Sequence, residues 1–201
     1  PSMSDTASSL PETFAALGLN DEIVDALNER GITSPFPVQA LTIPDALAGR
    51  DVCGKAKTGS GKTLAFGLPV LQRMTKAEPN HPTGLVLVPT RELANQVTEE
   101  LEPAAQAVGR RALAVYGGAP IEKQIEKLDK GIDLVVATPG RMIDLIERKA
   151  VSVADVAHVI VDEADRMADM GFLPQVEWIL RNVEAEHQTL LFSATLDGAV
   201  N

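Results

Sequence analysis

Six short apolar runs recur along this chain: Asp51–Cys53, Leu85–Val88, Ala112–Val115, Leu134–Ala137, Val159–Val161 and Thr189–Phe192. Each is continuous rather than alternating. A strand with one wet face alternates apolar with polar residues, whereas a strand covered on both faces need not. Helix-like segments fill the intervals, at Lys62–Lys76, Arg91–Val108, Glu122–Lys130, Gly140–Arg148 and Pro174–Val183. Strand alternating with helix predicts an α/β fold, a mostly parallel central sheet with helices on both faces. Ahead of the first run, Asn20 caps a helix over Asp21–Arg30 that Gly31 stops, Pro35 and Pro37 impose an extended turn, and a second helix runs over Gln39–Ala48. In such sheets ligands sit beyond the carboxyl ends of the strands, so functional residues should follow the runs directly.

The chain has 201 residues and no linker long enough to divide it. Residues 1–13 are read as a flexible N-terminal segment, with Pro1 and Ser2 ahead of Met3 a cleavage scar, and 14–201 as one domain. Net charge is −10, so a nucleic acid could be held only locally, not by bulk positive charge. Seven aromatic residues are too few for a stacking platform for single strands. The single Cys53 excludes an internal disulfide and a cysteine zinc cluster, and three scattered His residues suggest no metal site. No apolar run approaches the roughly 20 residues of a membrane span, and no leader pattern is seen, so the expectation is a cytoplasmic protein without a membrane partner.

Ala56-Lys57-Thr58-Gly59-Ser60-Gly61-Lys62-Thr63 follows the first run and opens a helix. Apart from Ala56 in place of the first glycine, it has the phosphate-loop pattern. Gly59 and Gly61 let backbone amides approach phosphate oxygens, and the helix start adds partial positive charge. Lys62 would reach the β- and γ-phosphates, and the Thr63 hydroxyl would ligate Mg²⁺. The fifth run leads straight into Asp162-Glu163-Ala164-Asp165. Asp162 is placed to hold Mg²⁺ and Glu163 to orient and deprotonate an attacking water.

Together these motifs resemble the DEAD-box family of ATP-dependent RNA helicases, whose name spells residues 162–165. The resemblance extends over nearly the whole chain. Gly31-Ile32-Thr33-Ser34-Pro35-Phe36-Pro37-Val38-Gln39 resembles the Q motif, with Phe14 at the position of its isolated upstream aromatic. Pro89-Thr90-Arg91-Glu92-Leu93 resembles motif Ia, Gly117-Gly118 the GG motif, Thr138-Pro139-Gly140-Arg141 motif Ib and Ser193-Ala194-Thr195 motif III. The resemblance implies a RecA-like P-loop NTPase domain, the first of two, binding ATP or ADP with Mg²⁺. It implies nucleotide contacts from Phe14, Ile32, Pro37, Gln39 and the loop Lys57, Thr58, Gly59, Ser60, Gly61, Lys62, Thr63 and Leu64, with catalysis by Lys62, Asp162 and Glu163. A carboxamide at Gln39 can donate and accept at once, which suits the adenine edge; taken alone, the same residue reads as a helix-capping Gln beside a proline turn. The family prefers an aromatic at Ile32 and Thr at Phe36.

By the same resemblance Pro89, Thr90, Arg91, Glu92, Gly117, Gly118, Thr138, Pro139, Gly140 and Arg141 hold RNA by its backbone, without reading bases. Asp165, Ser193 and Thr195 would couple nucleotide state to RNA binding. A second RecA-like domain of the same protein would supply the arginine fingers, so this domain alone should bind nucleotide and hydrolyse it very slowly. RNA-degradation or ribosome-assembly proteins are possible partners. Two other functions are weighed: a nucleotide-dependent RNA clamp without strand separation, which shares every one of these residues, and another P-loop ATPase acting on DNA, against which Gln39 and Asp162-Glu163-Ala164-Asp165 argue. Outside the motifs, Cys53, Phe172, Met170 and Trp178 read as core or packing residues, and Glu122–Lys130 as a solvated helix face with (i, i+4) ion pairs.

Overall fold

The structure is a computed structural model that describes residues 9–195; the scar at Pro1 and Ser2 lies outside them. Strands β1 (Val52–Lys55), β2 (Gly84–Leu87), β3 (Ala112–Val115), β4 (Leu134–Ala137), β5 (His158–Val161) and β6 (Gln188–Ser193) match the six apolar runs. They form one sheet in the order β1-β6-β5-β2-β4-β3, every neighbouring pair parallel.

The continuous runs are explained by two cores, one on each side of the sheet. In β2, Val86 joins one core while Leu85 and Leu87 join the other; in β4, Leu134 and Val136 face opposite to Val135 and Ala137. Full burial of such side chains is worth about 1.5–3 kcal/mol each. Helices α1 (Asp21–Glu29), α2 (Pro37–Leu47), α3 (Lys62–Arg73) and α4 (Arg91–Ala107) cover the first face. Helices α5 (Ile121–Asp129), α6 (Pro139–Glu147), α7 (Ala164–Asp169) and α8 (Leu173–Asn182) contribute to the second.

Asn20 does cap α1, accepting from Ile23 N at 3.0 Å. Pro37, expected in an extended turn, is instead the first residue of α2, where its missing N–H costs nothing. The six-residue helix α7 falls between the sequence-derived helices, because a segment this short is under two turns and shows no apolar periodicity. β1 is an edge strand, so its residues are not covered on both faces: Cys53 is exposed, not buried. Met170 is 45% exposed, since α7 ends there in a turn, whereas Phe172 and Trp178 do pack against the second core. The α5 face is solvated, with Lys130 3.9 Å from Glu126 as an (i, i+4) pair.

Buried polar groups at the lower rim are structural. Gln188 accepts from Arg73 at 2.7 Å and donates to the Ala46 and Arg50 carbonyls at 2.8 Å, and His158 lies 3.0 Å from its oxygen. Burial lowers the His158 pKa, which favours the neutral ring within this network.

Candidate functional site

The sheet order divides the upper rim in two. The carboxyl ends of β1, β6 and β5 lie side by side, which brings together the phosphate loop, the Ser193-Ala194-Thr195 turn and Asp162-Glu163. The ends of β2, β4 and β3 form the other half, carrying Pro89–Glu92, Thr138–Arg141 and Gly117-Gly118. Residues scattered along the sequence thus sort into two neighbouring clusters. Where β5 meets β2, Asp162 N donates to Leu87 O at 3.0 Å, which fixes the acidic turn against the second half.

In the first half, α3 starts immediately after a left-handed turn, with φ +84° at Gly59 and +85° at Gly61. Only glycine adopts that conformation without strain. Gly61 is constrained twice, because a Cβ there would lie 2.5 Å from Phe36 Cδ2 and 2.6 Å from Gln39 Nε2. Ala56, at the unusual first position, is buried, and its N–H donates to Ser193 O at 2.9 Å, tying the loop to β6.

Lys62 Nζ lies 3.1 Å from Asp162 Oδ1 and 3.8 Å from Glu163 Oε1. Burial pushes the Asp162 carboxyl above its usual range, and the Lys62 ammonium opposes that. Glu163 has φ +53°, a conformation that non-glycine residues seldom hold and that concentrates at functional sites. Two buried oxygens here, Asp162 Oδ1 and Glu163 Oε2, receive no hydrogen bond among the described residues, although cations stand 3.1 and 3.9 Å from them. A cavity of about 290 Å³ opens on this cluster, lined by Thr58, Gly59, Gly61, Lys62, Thr63 and Asp162 and closed opposite by Gln96 and Glu100 of α4. Glu100 was not singled out from the sequence; burial raises its carboxyl and the Arg30 charge opposes it. Its signal is positional, on the wall of α4 that faces the loop, and no motif marks it.

Gln39 is 2% exposed, and its carboxamide is already engaged. Oε1 accepts from Phe36 N at 2.8 Å, capping α2, and Nε2 donates to Gly61 O at 3.0 Å. It therefore links the Q-motif turn to the phosphate loop. Phe14 is 2% exposed and packs in the first core, Ile32 packs against that core, and Leu64 is buried; none of the three lines a cavity of the nucleotide half. Pro37 borders a separate cavity of about 880 Å³ along the outer side of β1, with Phe36, Leu41, Lys57 and Ser60.

At the junction, Asp165 faces the Ser193 turn. Burial would raise its carboxyl, but the Ser193 hydroxyl and the amides of Arg166, Ala194 and Thr195 hold it below its usual range. Ser193 Oγ is buried and, among the described residues, has no partner in full hydrogen-bonding geometry. Motif III thus touches both the phosphate loop, through Ala56, and the acidic turn, through Asp165.

In the second half, a groove of about 440 Å³ is lined by Pro89, Arg91, Gly117, Thr138, Pro139, Gly140 and Arg141, which gathers three sequence motifs onto one surface. Thr90 caps α4, accepting from Leu93 N at 3.2 Å, while Gly118 and Glu92 are exposed beside the groove. Arg141 is committed internally, donating to Ala119 O at 3.1 Å and Gln124 Oε1 at 2.9 Å, so it orders the glycine turn. The Arg91 guanidinium lies over the Tyr116 ring, 4.8 Å from its centroid. Tyr116, Phe172 and Gln175 complete the lining and were not anticipated as site residues. Tyr116 and Phe172 show in sequence only as apolar residues beside glycine.

A parallel sheet carrying a phosphate loop after one strand and buried acids after another, two strands away, is a RecA-like P-loop NTPase domain. The profile of the DEAD/DEAH box helicase family matches residues 36–201. The chain is 46% identical over 188 residues to "DEAD-box ATP-dependent RNA helicase 9, mitochondrial" of Arabidopsis thaliana, covering 91% of this chain and 30% of that protein. It is 44% identical over 188 residues to "DEAD-box ATP-dependent RNA helicase CshA" of Bacillus subtilis, covering 94% of this chain and 38% of that one. The crystal structure of a DEAD box protein from Methanococcus jannaschii superposes with a TM-score of 0.87 at 37% identity, over 93% of this chain and 51% of that one. The chain belongs to the DEAD/DEAH box helicase family. It spans between about a third and a half of the length of these three proteins.

Proposed function

We propose that this chain is the nucleotide-binding domain of an ATP-dependent RNA helicase, which uses ATP binding and hydrolysis to open or remodel short RNA duplexes. The observation that carries this is the division of one sheet rim into a phosphate-and-carboxylate cluster and a backbone-lined groove, joined through Ser193 and Asp165. The relatives' names, which specify ATP and RNA, support the same activity.

The donor set suits Mg²⁺. Asp162 Oδ1 and Glu163 Oε2 are buried oxygens without hydrogen bonds, and Thr63 lines the same cavity as Asp162. Among the described residues no three His, Cys, Asp or Glu side chains converge, which fits an ion that takes most of its ligands from phosphate and water. Thr63 and Asp162 would hold it, and it would neutralise charge on the transferring phosphoryl group.

The chain's own residues then have distinct tasks. Amides of the glycine turn and the start of α3 bind the phosphates. Lys62 moves its contact from Asp162 to the phosphate oxygens. Glu163, held in its left-handed turn, orients and deprotonates water. Gln39 carries adenine occupancy to the phosphate loop through its bond to Gly61 O. In the groove, helix starts and glycine amides grip the RNA backbone, giving sequence-independent binding. A second RecA-like domain of the same protein closes over both sites and supplies the missing cations. Among the described residues no helix is long and apolar enough to cross a membrane.

The test is ATP turnover by this domain and by the full-length protein, each with and without RNA. RNA-stimulated turnover in the full-length protein, near-zero turnover in the domain and release of a short duplex are expected. RNA-independent turnover, or stimulation by DNA alone, overturns the proposal. Duplex held but never released assigns a clamp instead.

A further inference from the structure

Among the described residues β3 is the outer strand at the proposed RNA side of the sheet and pairs with β4 alone. Leu134 N donates to Arg111 O and Thr138 N to Val115 O, each at 3.1 Å. Residues 111, 113 and 115 therefore turn their backbone groups to β4, and the alternation of a parallel ladder turns those of Ala112 and Ala114 outward. Alanine side chains do little to cover them, and Ala112, Leu113 and Ala114 are only half-buried.

Beside the lower end of this edge runs a groove of about 460 Å³ between α4 and α5. Arg110, Arg111, Lys127 and Lys130 line it, against a single carboxylate, Glu102. Arg111, Lys127 and Lys130 are exposed. Lys130 has one loose ion pair, at 3.9 Å from Glu126, and Arg110 is occupied by the Met74, Val108 and Gly109 carbonyls. On a chain of net charge −10, four cations in one groove form a local exception.

An open edge offers main-chain pairing to an incoming strand, and the cationic groove beside it selects carboxylates. We propose that the β3 edge docks an extended acidic segment of a partner protein, added as a further strand, with its carboxylates against Arg111, Lys127 and Lys130. Basic side chains on an edge discourage a second copy of the same edge from pairing with it, and an acidic strand is the partner they do not repel. An RNA strand could meet the charges, and its phosphates could accept from single amides, but it offers no ladder of alternating donors and acceptors at strand spacing to match the amides and carbonyls of Ala112 and Ala114. The groove also lies at the opposite end of β3 from Gly117 and shares no lining residue with the RNA groove.

The test is fluorescence anisotropy of the full chain with a short labelled peptide of alternating Glu and Val. Binding is expected to weaken at least about tenfold in the double variant Arg111→Glu, Lys127→Glu, and to stay unchanged in Arg181→Glu, which makes the same type of charge change on α8. Methylating alternate peptide amides, which keeps every charge but removes strand donors, should also abolish binding. Circular dichroism of the double variant should match wild type, since both side chains are exposed. Undiminished binding of the methylated peptide, equal binding of a Lys/Val peptide, displacement by oligouridylate, or no binding at all overturns the proposal.

Discussion

Lys62 Nζ stands 3.1 Å from Asp162 Oδ1, joining the first turn of α3 to the end of β5 across the intervening strand β6. Both side chains are nearly inaccessible, at 8% and 1% exposure. The pair holds the floor of the cavity in place. Under the proposed function a triphosphate would compete with Asp162 for the ammonium, leaving a desolvated carboxylate that could help hold Mg²⁺.

The same burial sets a pH dependence. Asp162 titrates above its usual 3.8, so between that value and its raised native value the folded state binds more protons than the unfolded one. Stability should accordingly fall as pH rises through that window, and this contribution is absent below it. Thermal melts at several pH values should show a shallower fall in Asp162→Asn than in wild type. Parallel curves would mean that Asp162 titrates normally.

Two glycines in one turn should respond differently to alanine. Gly59 and Gly61 share nearly the same positive φ, but a Cβ meets nothing within 4 Å at Gly59 and meets Phe36 and Gln39 at Gly61. Gly59→Ala should cost about 1–2 kcal/mol from backbone strain alone. Gly61→Ala should cost at least about 1 kcal/mol more, because overpacking is added. Urea denaturation of both variants measures the difference, and equal losses would contradict the close approach.

Gln39 is a bridge as well as a candidate adenine reader. Gln39→Ala removes both its bonds and leaves Phe36 N without its side-chain acceptor, so stability should fall by about 1–3 kcal/mol. Gln39→Glu keeps the acceptor but cannot donate to Gly61 O, and should weaken ADP binding with a smaller loss of stability. Calorimetric titration and melting of the two variants separate the effects; unchanged ADP affinity in Gln39→Glu would dissociate the bridge from the nucleotide site.

Much of this was legible in sequence because the signals are local. Each face of a buried strand is apolar, so the six runs announced the sheet. The phosphate loop and Asp162-Glu163 each sit immediately after a strand. What was not legible depends on strand order. The exposure of Cys53 follows from β1 lying at an edge, which no local pattern encodes. Glu100 and Gln175 reach their cavities only through helix placement, and neither belongs to a motif. The Gln39 cap on Phe36 N is local and is what the residue type alone suggested, whereas the Gln39 bond to Gly61 O and the bonds of Arg141 are tertiary and no local pattern encodes them.

Arg141 should act on RNA through the glycine turn. It donates to Ala119 O and to Gln124, so Arg141→Ala frees that turn and exposes the groove wall. RNA affinity is expected to drop about equally for all sequences, with the salt slope falling by about 1 if the guanidinium also neutralises a phosphate. Tyr116→Leu, which removes the surface under Arg91, should give a similar uniform loss. Binding titrations against several homopolymers at varied salt check both, and a loss confined to one base would contradict backbone recognition.

The most direct trial is calorimetric titration of this chain with ADP and with ATP in the presence of Mg²⁺, for wild type and for Lys62→Met. Saturable heat is expected with wild type and at least a tenfold weaker affinity in the variant, with circular dichroism showing both folded. Equal affinity in the two proteins, or no heat from folded wild type, would contradict the placement of the triphosphate between Lys62 and Asp162.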